Sequence, residues 1–247
     1  MPSLAEPVRP ATTSSVKQTE GTANDQPAAD AALALPIWDL PIRLFHWFLV
    51  ALIGFSWWSA ENDRVEWHLW SGFGVLTLLI FRILWGVFGS STARFSDFVR
   101  GPASIVRYLR DPAAWRGIGH NPLGALSVIA LLLLTSLQVA LGLIISDEDG
   151  VYSGPLVNLV GLDTSETARD LHALLFNVLL ALIALHVAAI LYYRLFKKKR
   201  LVGPMITGRG PATEPMRPAR WWVALLCLGT AIAITRWIVA GAPPFGG

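Results

Sequence analysis

Long runs of apolar residues, separated by shorter polar segments, dominate the hydropathy pattern of the chain. Each run approaches the ~20 residues that a helix needs to cross a bilayer. Backbone N–H and C=O groups find no partner in lipid, so segments of this kind are expected to be helical. The sequence therefore predicts an all-α integral membrane protein with five spans, over residues 42–59, 69–89, 123–145, 172–195 and 221–240.

The two ends of the chain differ from this central region. Residues 1–35 are rich in Ala, Thr, Ser, Pro and acidic side chains and lack apolar periodicity, which predicts a disordered tail. No apolar segment follows a basic start, so a signal peptide is not expected. The fifth span follows a Gly- and Pro-rich stretch and contains no histidine. We therefore expect a tail over 1–35, a four-helix domain over 36–208, and a linker with an extra helix over 209–247.

Charge and cysteine content narrow the class further. Charged residues make up 15% of the 247 residues, against about a quarter in soluble domains. The net charge is +3, but the basic residues lie beside apolar spans, so no nucleic-acid partner is expected. Cys227 is the single cysteine, which excludes an intramolecular disulfide and an iron–sulfur cluster held by several cysteines.

Basic residues are distributed unevenly among the loops. The loops after the second and fourth spans contain twelve Lys and Arg residues, whereas the other two contain only Arg64 and Arg169 among many acidic residues. Lys- and Arg-rich loops stay on the cytoplasmic side of a membrane. The N-terminus is therefore expected to be cytoplasmic and the C-terminus to lie outside.

Histidines supply the candidate chemistry. All five fall within or at the end of a predicted span, where ionisable groups are costly and usually functional. Neutral imidazole is also a common ligand of haem iron. His172 and His186 are 14 residues apart, so they leave nearly the same helix face about 21 Å apart along the axis. This spacing suits two stacked haems, one in each leaflet.

The direction of each span sorts four histidines into two pairs. His46 and His186 are expected in the inner leaflet, and His68 and His172 in the outer leaflet. Each pair is predicted to bind one haem, non-covalently because no C-x-x-C-H attachment motif is present. A membrane histidine can instead bond to a neighbouring helix, although four matched depths oppose that alternative. His120 is expected to act as an interfacial cap or helix start rather than as a ligand.

Two arginines and three glycines lie near the predicted haems. Arg43 and Arg82 are expected in the inner leaflet, where they either pair with haem propionates or extend to the lipid headgroups. Gly72, Gly74 and Gly142 either admit a porphyrin close to a helix backbone or simply pack helices together. The sequence leaves both alternatives open, and it identifies no catalytic residue.

Short motifs containing these histidines occur in a recognisable order, at residues 38–47, 66–72, 119–124, 171–189 and 203–208. Over about residues 36–208 the chain resembles the bacterial cytochrome b561 and nickel–iron hydrogenase b-type cytochrome family. The resemblance implies a four-helix cytochrome that binds two b haems through His46, His68, His172 and His186. It also implies a multi-pass protein of the bacterial inner membrane, in contact with lipid.

The same resemblance implies electron transfer between a redox partner and the quinone pool. The partner is a c-type cytochrome or a dehydrogenase or reductase subunit, and a quinone site is an open expectation. This favours an electron-transfer subunit over a complete enzyme. One alternative is a stand-alone superoxide–quinone oxidoreductase, which needs a basic funnel that the acidic outer loops do not provide. Another is a proton transporter with a histidine relay.

Overall fold

The computed structural model of the protein describes residues 34–112, 115, 117–146 and 151–243. The predicted tail over residues 1–35 lies outside the described residues, except for its last two positions. Those two belong to the first strand, β1 (Ala34–Pro36).

Five helices of the described part are long and apolar enough to cross a membrane. This confirms the all-α membrane fold with five spans. The spans are α1 (Leu40–Glu61), α2 (Val65–Phe88), α5 (Pro122–Gly142), α6 (Leu162–Leu195) and α8 (Trp221–Val239).

The fourth span differs from its prediction at its start. Helix α6 begins at Leu162, whereas the apolar run suggested residue 172. The added turns contain four charged residues, Asp163, Glu166, Arg169 and Asp170. Charged residues end an apolar run in a hydropathy pattern, but they do not end a helix. His172 therefore lies well inside a continuous helix, which fixes the direction in which its side chain leaves the backbone.

Local capping explains where two of the spans begin. The Asp39 carboxylate accepts a hydrogen bond from the Ile42 backbone N–H at 2.7 Å, and the Asn121 side chain accepts one from the Gly124 N–H at 2.8 Å. A proline occupies the first turn of both helices, where its missing N–H costs nothing. These caps set the starts of α1 and α5.

Short elements connect the spans: α3 (Phe95–Phe98), α4 (Pro102–Arg110), a 3-10 turn (Val157–Leu159), α7 (Val202–Thr207) and β2 (Arg209–Pro211). Strands β1 and β2 pair antiparallel, with Leu35 opposite Gly210. The sheet therefore ties the segment before α1 to the segment that follows α7.

Helix α8 packs against α2 and joins the core of the bundle. The Thr77 hydroxyl donates to the Thr235 hydroxyl at 3.0 Å, and Cys227 and Ala231 are buried. They pack in a cluster whose other buried members are Ile42, Phe45, Phe81, Trp85 and Ala93. The extra helix is thus an integrated part of the bundle.

Candidate functional site

The structure brings His68 of α2 and His172 of α6 together, which we call the 68/172 pair. Their ring centres are 6.1 Å apart and their planes meet at 79°. An imidazole nitrogen lies about 2 Å from a bound metal, so two imidazoles on opposite sides of one metal ion have ring centres about 6 Å apart. The observed separation therefore fits one metal ion between the two rings.

Backbone carbonyls orient both rings of this pair. His68 Nδ1 lies 2.9 Å from the Ser56 carbonyl oxygen, and His172 Nδ1 lies 2.9 Å from that of Gln138. A carbonyl oxygen only accepts, so each Nδ1 must carry the proton and each Nε2 keeps its lone pair. A second bond of this kind is typical of metal-binding histidines, because it fixes the tautomer and the ring direction.

Gln138 makes a reciprocal contact with His172. Its side-chain Nε2 donates to the His172 carbonyl oxygen at 2.8 Å, while its own carbonyl accepts from the His172 ring. Two hydrogen bonds therefore join α5 to α6 beside the ring. Gln138 could not be identified from the sequence, because nothing near it along the chain indicates His172, 34 residues away, as its partner.

A cavity of about 600 Å³ adjoins the 68/172 pair, lined by residues of α1, α2, α5 and α6. Cofactor pockets are commonly about 300–1,000 Å³. Gly72 lines this cavity, and a Cβ atom there would have no protein atom within 4 Å. Gly142 also lines it, and a Cβ atom there would lie 3.2 Å from His172 Cε1. The glycines thus leave room for a flat group and for the ring of His172.

Gly74 has a different environment. A Cβ atom at this position would lie 2.9 Å from Leu52 Cδ1 of α1, and Gly74 is not among the residues that line the cavity. Of the three glycines considered from the sequence, Gly74 therefore serves the close packing of α1 on α2.

His46 of α1 and His186 of α6 lie close enough for their charges to interact, and we call them the 46/186 pair. His186 Nδ1 is 3.4 Å from the Ser127 hydroxyl. His46 Nδ1 is buried and has no hydrogen-bond partner among the described residues. The two side chains thus lie within electrostatic range of one another, and the described residues make fewer hydrogen bonds to them than to the 68/172 pair.

Arg82 does not extend to the headgroups. Its side chain is 1% exposed, and its guanidinium carbon lies 4.6 Å from the Phe95 ring centre and 5.8 Å from that of Phe98. Within the described ranges, neither terminal nitrogen has a hydrogen-bond partner. Because buried N–H donors without acceptors are costly, these donors fit an anionic group of a bound molecule.

Arg43 makes a contact that differs from both alternatives considered from the sequence, a haem propionate and the lipid headgroups. Its guanidinium donates to the Ile206 carbonyl oxygen, and its Nε lies 3.4 Å from the Asp39 carbonyl oxygen. The side chain therefore ties α1 to the segment containing α7. Hydropathy placed Arg43 at the correct end of the span, but it could not reveal these backbone partners.

His120 is not a helix cap, because Asn121 performs that role for α5. The His120 ring instead packs 4.6 Å from the Trp38 ring and 5.1 Å from the Phe98 ring, measured between centres. Its Nδ1 is buried without a hydrogen-bond partner in the part of the chain that the structure describes.

Burial, together with the positive charge of Arg82 and the nearby His186 and His46, lowers the pKa of His120 to about 3. The ring is therefore neutral at physiological pH. The same electrostatic interactions place His120 beside the 46/186 pair. The proximity of His120 to this pair could not be seen from the sequence, where its neighbours along the chain indicated only a place at the membrane interface.

Residues 37–208 match the family described as prokaryotic cytochrome b561. The chain belongs to this family. No curated protein and no solved structure matches the chain. The protein is therefore a multi-pass membrane cytochrome of the b type that acts in electron transfer, and its cofactor is b-type haem. The free Nε2 atoms, the ring separation and the glycine-lined cavity of the 68/172 pair fit this cofactor.

Proposed function

We propose that the protein binds two b haems and transfers electrons across the bacterial inner membrane, between a redox partner and the quinone pool. The observation that carries this proposal is the 68/172 pair, with rings 6.1 Å apart and both Nδ1 atoms bonded to backbone carbonyls. The family implies the haem, and this geometry supports two imidazole ligands for it.

The position of the second pair supports a path through the membrane. His172 and His186 belong to one continuous helix, and 14 residues of helix separate them by about 21 Å. The hydrocarbon core of a bilayer is about 30 Å thick. Haems held at the two pairs would therefore cover most of that thickness.

The chain's own side chains have separate tasks in this proposal. His68 and His172 hold one haem, and His46 and His186 hold the other. Arg82, through its buried terminal nitrogens, binds a propionate of the second haem. Bound haem supplies the one-electron redox chemistry, while the protein supplies ligands, orientation and an apolar environment.

The distribution of charge supports an orientation and a class of partner. With the N-terminus in the cytoplasm, as the basic loops favour, the 68/172 pair lies towards the outer surface. Glu61 lines its cavity, and the adjoining loops are acidic. An acidic surface suits a basic electron carrier such as a c-type cytochrome. A dehydrogenase or reductase subunit is the other class of partner, and quinone would exchange electrons at one end.

The two alternative functions have less support. The described residues that line the cavity of about 600 Å³ include Glu61 and neither lysine nor arginine. A smaller cavity beside the same pair includes Arg169, and one arginine does not form the basic funnel that would attract superoxide anion. A histidine proton relay needs side chains that pass protons onward. The rings of the 68/172 pair instead donate to backbone carbonyls, which cannot carry a proton further.

Purified protein in liposomes tests the proposal. Ferricyanide is trapped inside, and a reductant that does not cross the bilayer is added outside. We expect reduction of the trapped ferricyanide by the wild type, and none in liposomes without protein or with the His186→Ala variant. A red protein that leaves the trapped ferricyanide oxidised, in either orientation of insertion, would contradict transfer across the membrane. A colourless protein with normal helix content would favour the transporter.

A further inference from the structure

Arg82 and His120 lie near the 46/186 pair and carry buried polar atoms that no described residue satisfies. Arg82 and His120 both pack against the Phe98 ring, at 5.8 and 5.1 Å. The two terminal nitrogens of Arg82 and the Nδ1 of His120 are buried and, among the described residues, have no hydrogen-bond partner. Buried polar atoms are almost always bonded, so a cluster of exceptions calls for a physical reason.

The nearest acidic side chain does not satisfy this cluster. Asp39 interacts electrostatically with Arg82, but its oxygens already accept hydrogen bonds. Oδ1 accepts from the Ile42 N–H at 2.7 Å, and Oδ2 accepts from Trp85 Nε1 at 3.0 Å and from the Ser90 hydroxyl. The carboxylate balances charge nearby, while the guanidinium N–H groups remain available.

The donors that remain define the chemistry of their partner. The guanidinium presents several N–H groups in one plane, a geometry that matches the two oxygens of a carboxylate. His120 is a neutral imidazole and can donate one further hydrogen bond. Both residues interact electrostatically with one another, and His120 also does so with His46 and His186. A molecule bound at the 46/186 pair could therefore place a carboxylate near both Arg82 and His120.

We propose that Arg82 and His120 together bind one carboxylate, a propionate of the haem held by the 46/186 pair. This inference rests on the proposed function, and it makes His120 a cofactor-binding residue rather than an iron ligand or a cap. The positive guanidinium offsets the propionate charge in a lipid environment where a lone charge is expensive. The Trp38 and Phe98 rings hold the imidazole in place.

Infrared difference spectra between the oxidised and reduced full-length holoprotein test this inference. Haem labelled with ¹³C at its propionate carboxylates identifies the relevant bands. The variants are Arg82→Gln and His120→Phe, the latter keeping a ring between Trp38 and Phe98. Arg94→Gln is the matched control, because this half-buried arginine instead pairs with Asp97 at 2.8 Å. Arg82→Lys is added as a charge-conserving variant in case Arg82→Gln does not fold.

We expect one labelled carboxylate band to shift in both Arg82→Gln and His120→Phe, with a smaller shift in Arg82→Lys and none in Arg94→Gln. Haem content should remain that of the wild type. The midpoint potential of the haem at the 46/186 pair should fall in Arg82→Gln, because a nearby positive charge is lost. The potential of the other haem should stay unchanged.

Several results would overturn the inference while leaving the proposed function intact. These are an unshifted band in His120→Phe, unshifted bands in all the Arg82 variants that fold, and loss of a haem in His120→Phe, which would make His120 a ligand. A wild-type band that shifts when acetate replaces chloride would identify the site as one for free carboxylate. Absence of haem from the wild type would instead refute the proposed function itself.

Discussion

The two histidine pairs differ in how the protein holds them. In the 68/172 pair, each Nδ1 bonds to a backbone carbonyl oxygen at 2.9 Å. In the 46/186 pair, one ring lies 3.4 Å from a serine hydroxyl, and the Nδ1 of the other has no partner among the described residues. Backbone carbonyls orient both rings of the first pair, whereas the described residues make fewer hydrogen bonds to the rings of the second.

The surroundings of the two pairs repeat this contrast. Beside the 68/172 pair, two glycines line a cavity and Gln138 fixes one ring through two hydrogen bonds. Beside the 46/186 pair, Arg82 and His120 carry buried nitrogens that have no hydrogen-bond partner within the described ranges. Each unsatisfied buried group costs about 1–3 kcal/mol, and more when charged. The second site therefore gains more from a bound anionic cofactor.

The largest expected effect comes from removing one ligand of each pair. His172→Ala and His186→Ala should each bind one haem instead of two, because each variant breaks a different pair. Haem-to-protein stoichiometry, measured by pyridine haemochrome and amino-acid analysis, checks this. Thr167→Ala on the same helix is the control and should retain both haems, because this exposed hydroxyl instead donates to the Asp163 carbonyl oxygen. Unchanged stoichiometry in either ligand variant would disprove the pairing.

A smaller but more local effect is expected from filling the cavity. Gly72→Leu should prevent haem binding at the 68/172 pair while sparing the other site, because its side chain would enter the cavity. Gly54→Leu is the matched control, since Gly54 is also a glycine whose added Cβ meets no protein atom within 4 Å, and it does not line the cavity. Redox titration of the remaining haem identifies the site. Full haem content in Gly72→Leu would place the haem elsewhere.

Gly142→Ala should change the geometry of one haem without removing it. The added Cβ would lie 3.2 Å from His172 Cε1, so the ring must move by a few tenths of an ångström. We expect an altered low-spin EPR signal for the haem at the 68/172 pair and an unaltered signal for the other. Gly229→Ala on α8 is the control, because its Cβ would meet no atom within 4 Å. Identical spectra in all three proteins would argue against His172 as a ligand.

The smallest effect concerns pH and His120. Its pKa is lowered to about 3 from an ordinary value of 6.5, so between these values the unfolded chain binds a proton that the folded protein does not. Stability from this residue is therefore present above pH 6.5 and is lost as the pH falls, by at most about 1.4 kcal/mol per pH unit. A propionate beside the ring favours the protonated imidazole and would make this loss smaller.

The His120→Phe variant lacks this proton linkage. Its thermal unfolding midpoint in detergent should fall less steeply between pH 6.5 and 4 than that of the wild type. Parallel pH profiles would show that His120 titrates alike in the folded and unfolded states.

The helices could be predicted because they depend on regular geometry, and the prediction of two histidine levels rests on the same geometry. Apolar length identified the five spans that the structure contains. Once the segment is known to be a helix, the 14-residue spacing of His172 and His186 gives their separation along the helix axis and the face from which both side chains leave. These inferences need only the period of the helix and the thickness of the bilayer.

Side-chain partners could not be predicted because they depend on which helices meet. Arg43 and Arg82 look equivalent in sequence, yet one donates to a backbone carbonyl near residue 206 and the other is buried among aromatic rings. His120 comes directly before Asn121, the cap of α5, and its place in the sequence therefore suggested a capping role. Gln138 carried no local signal, because its partner lies on another helix.

The decisive measurement is the haem content and spin state of the purified wild-type protein. We expect two b haems per chain, with two distinct low-spin ferric EPR signals, because each iron would have two imidazole ligands. One haem per chain, or a high-spin signal from an iron with a single imidazole, would contradict it.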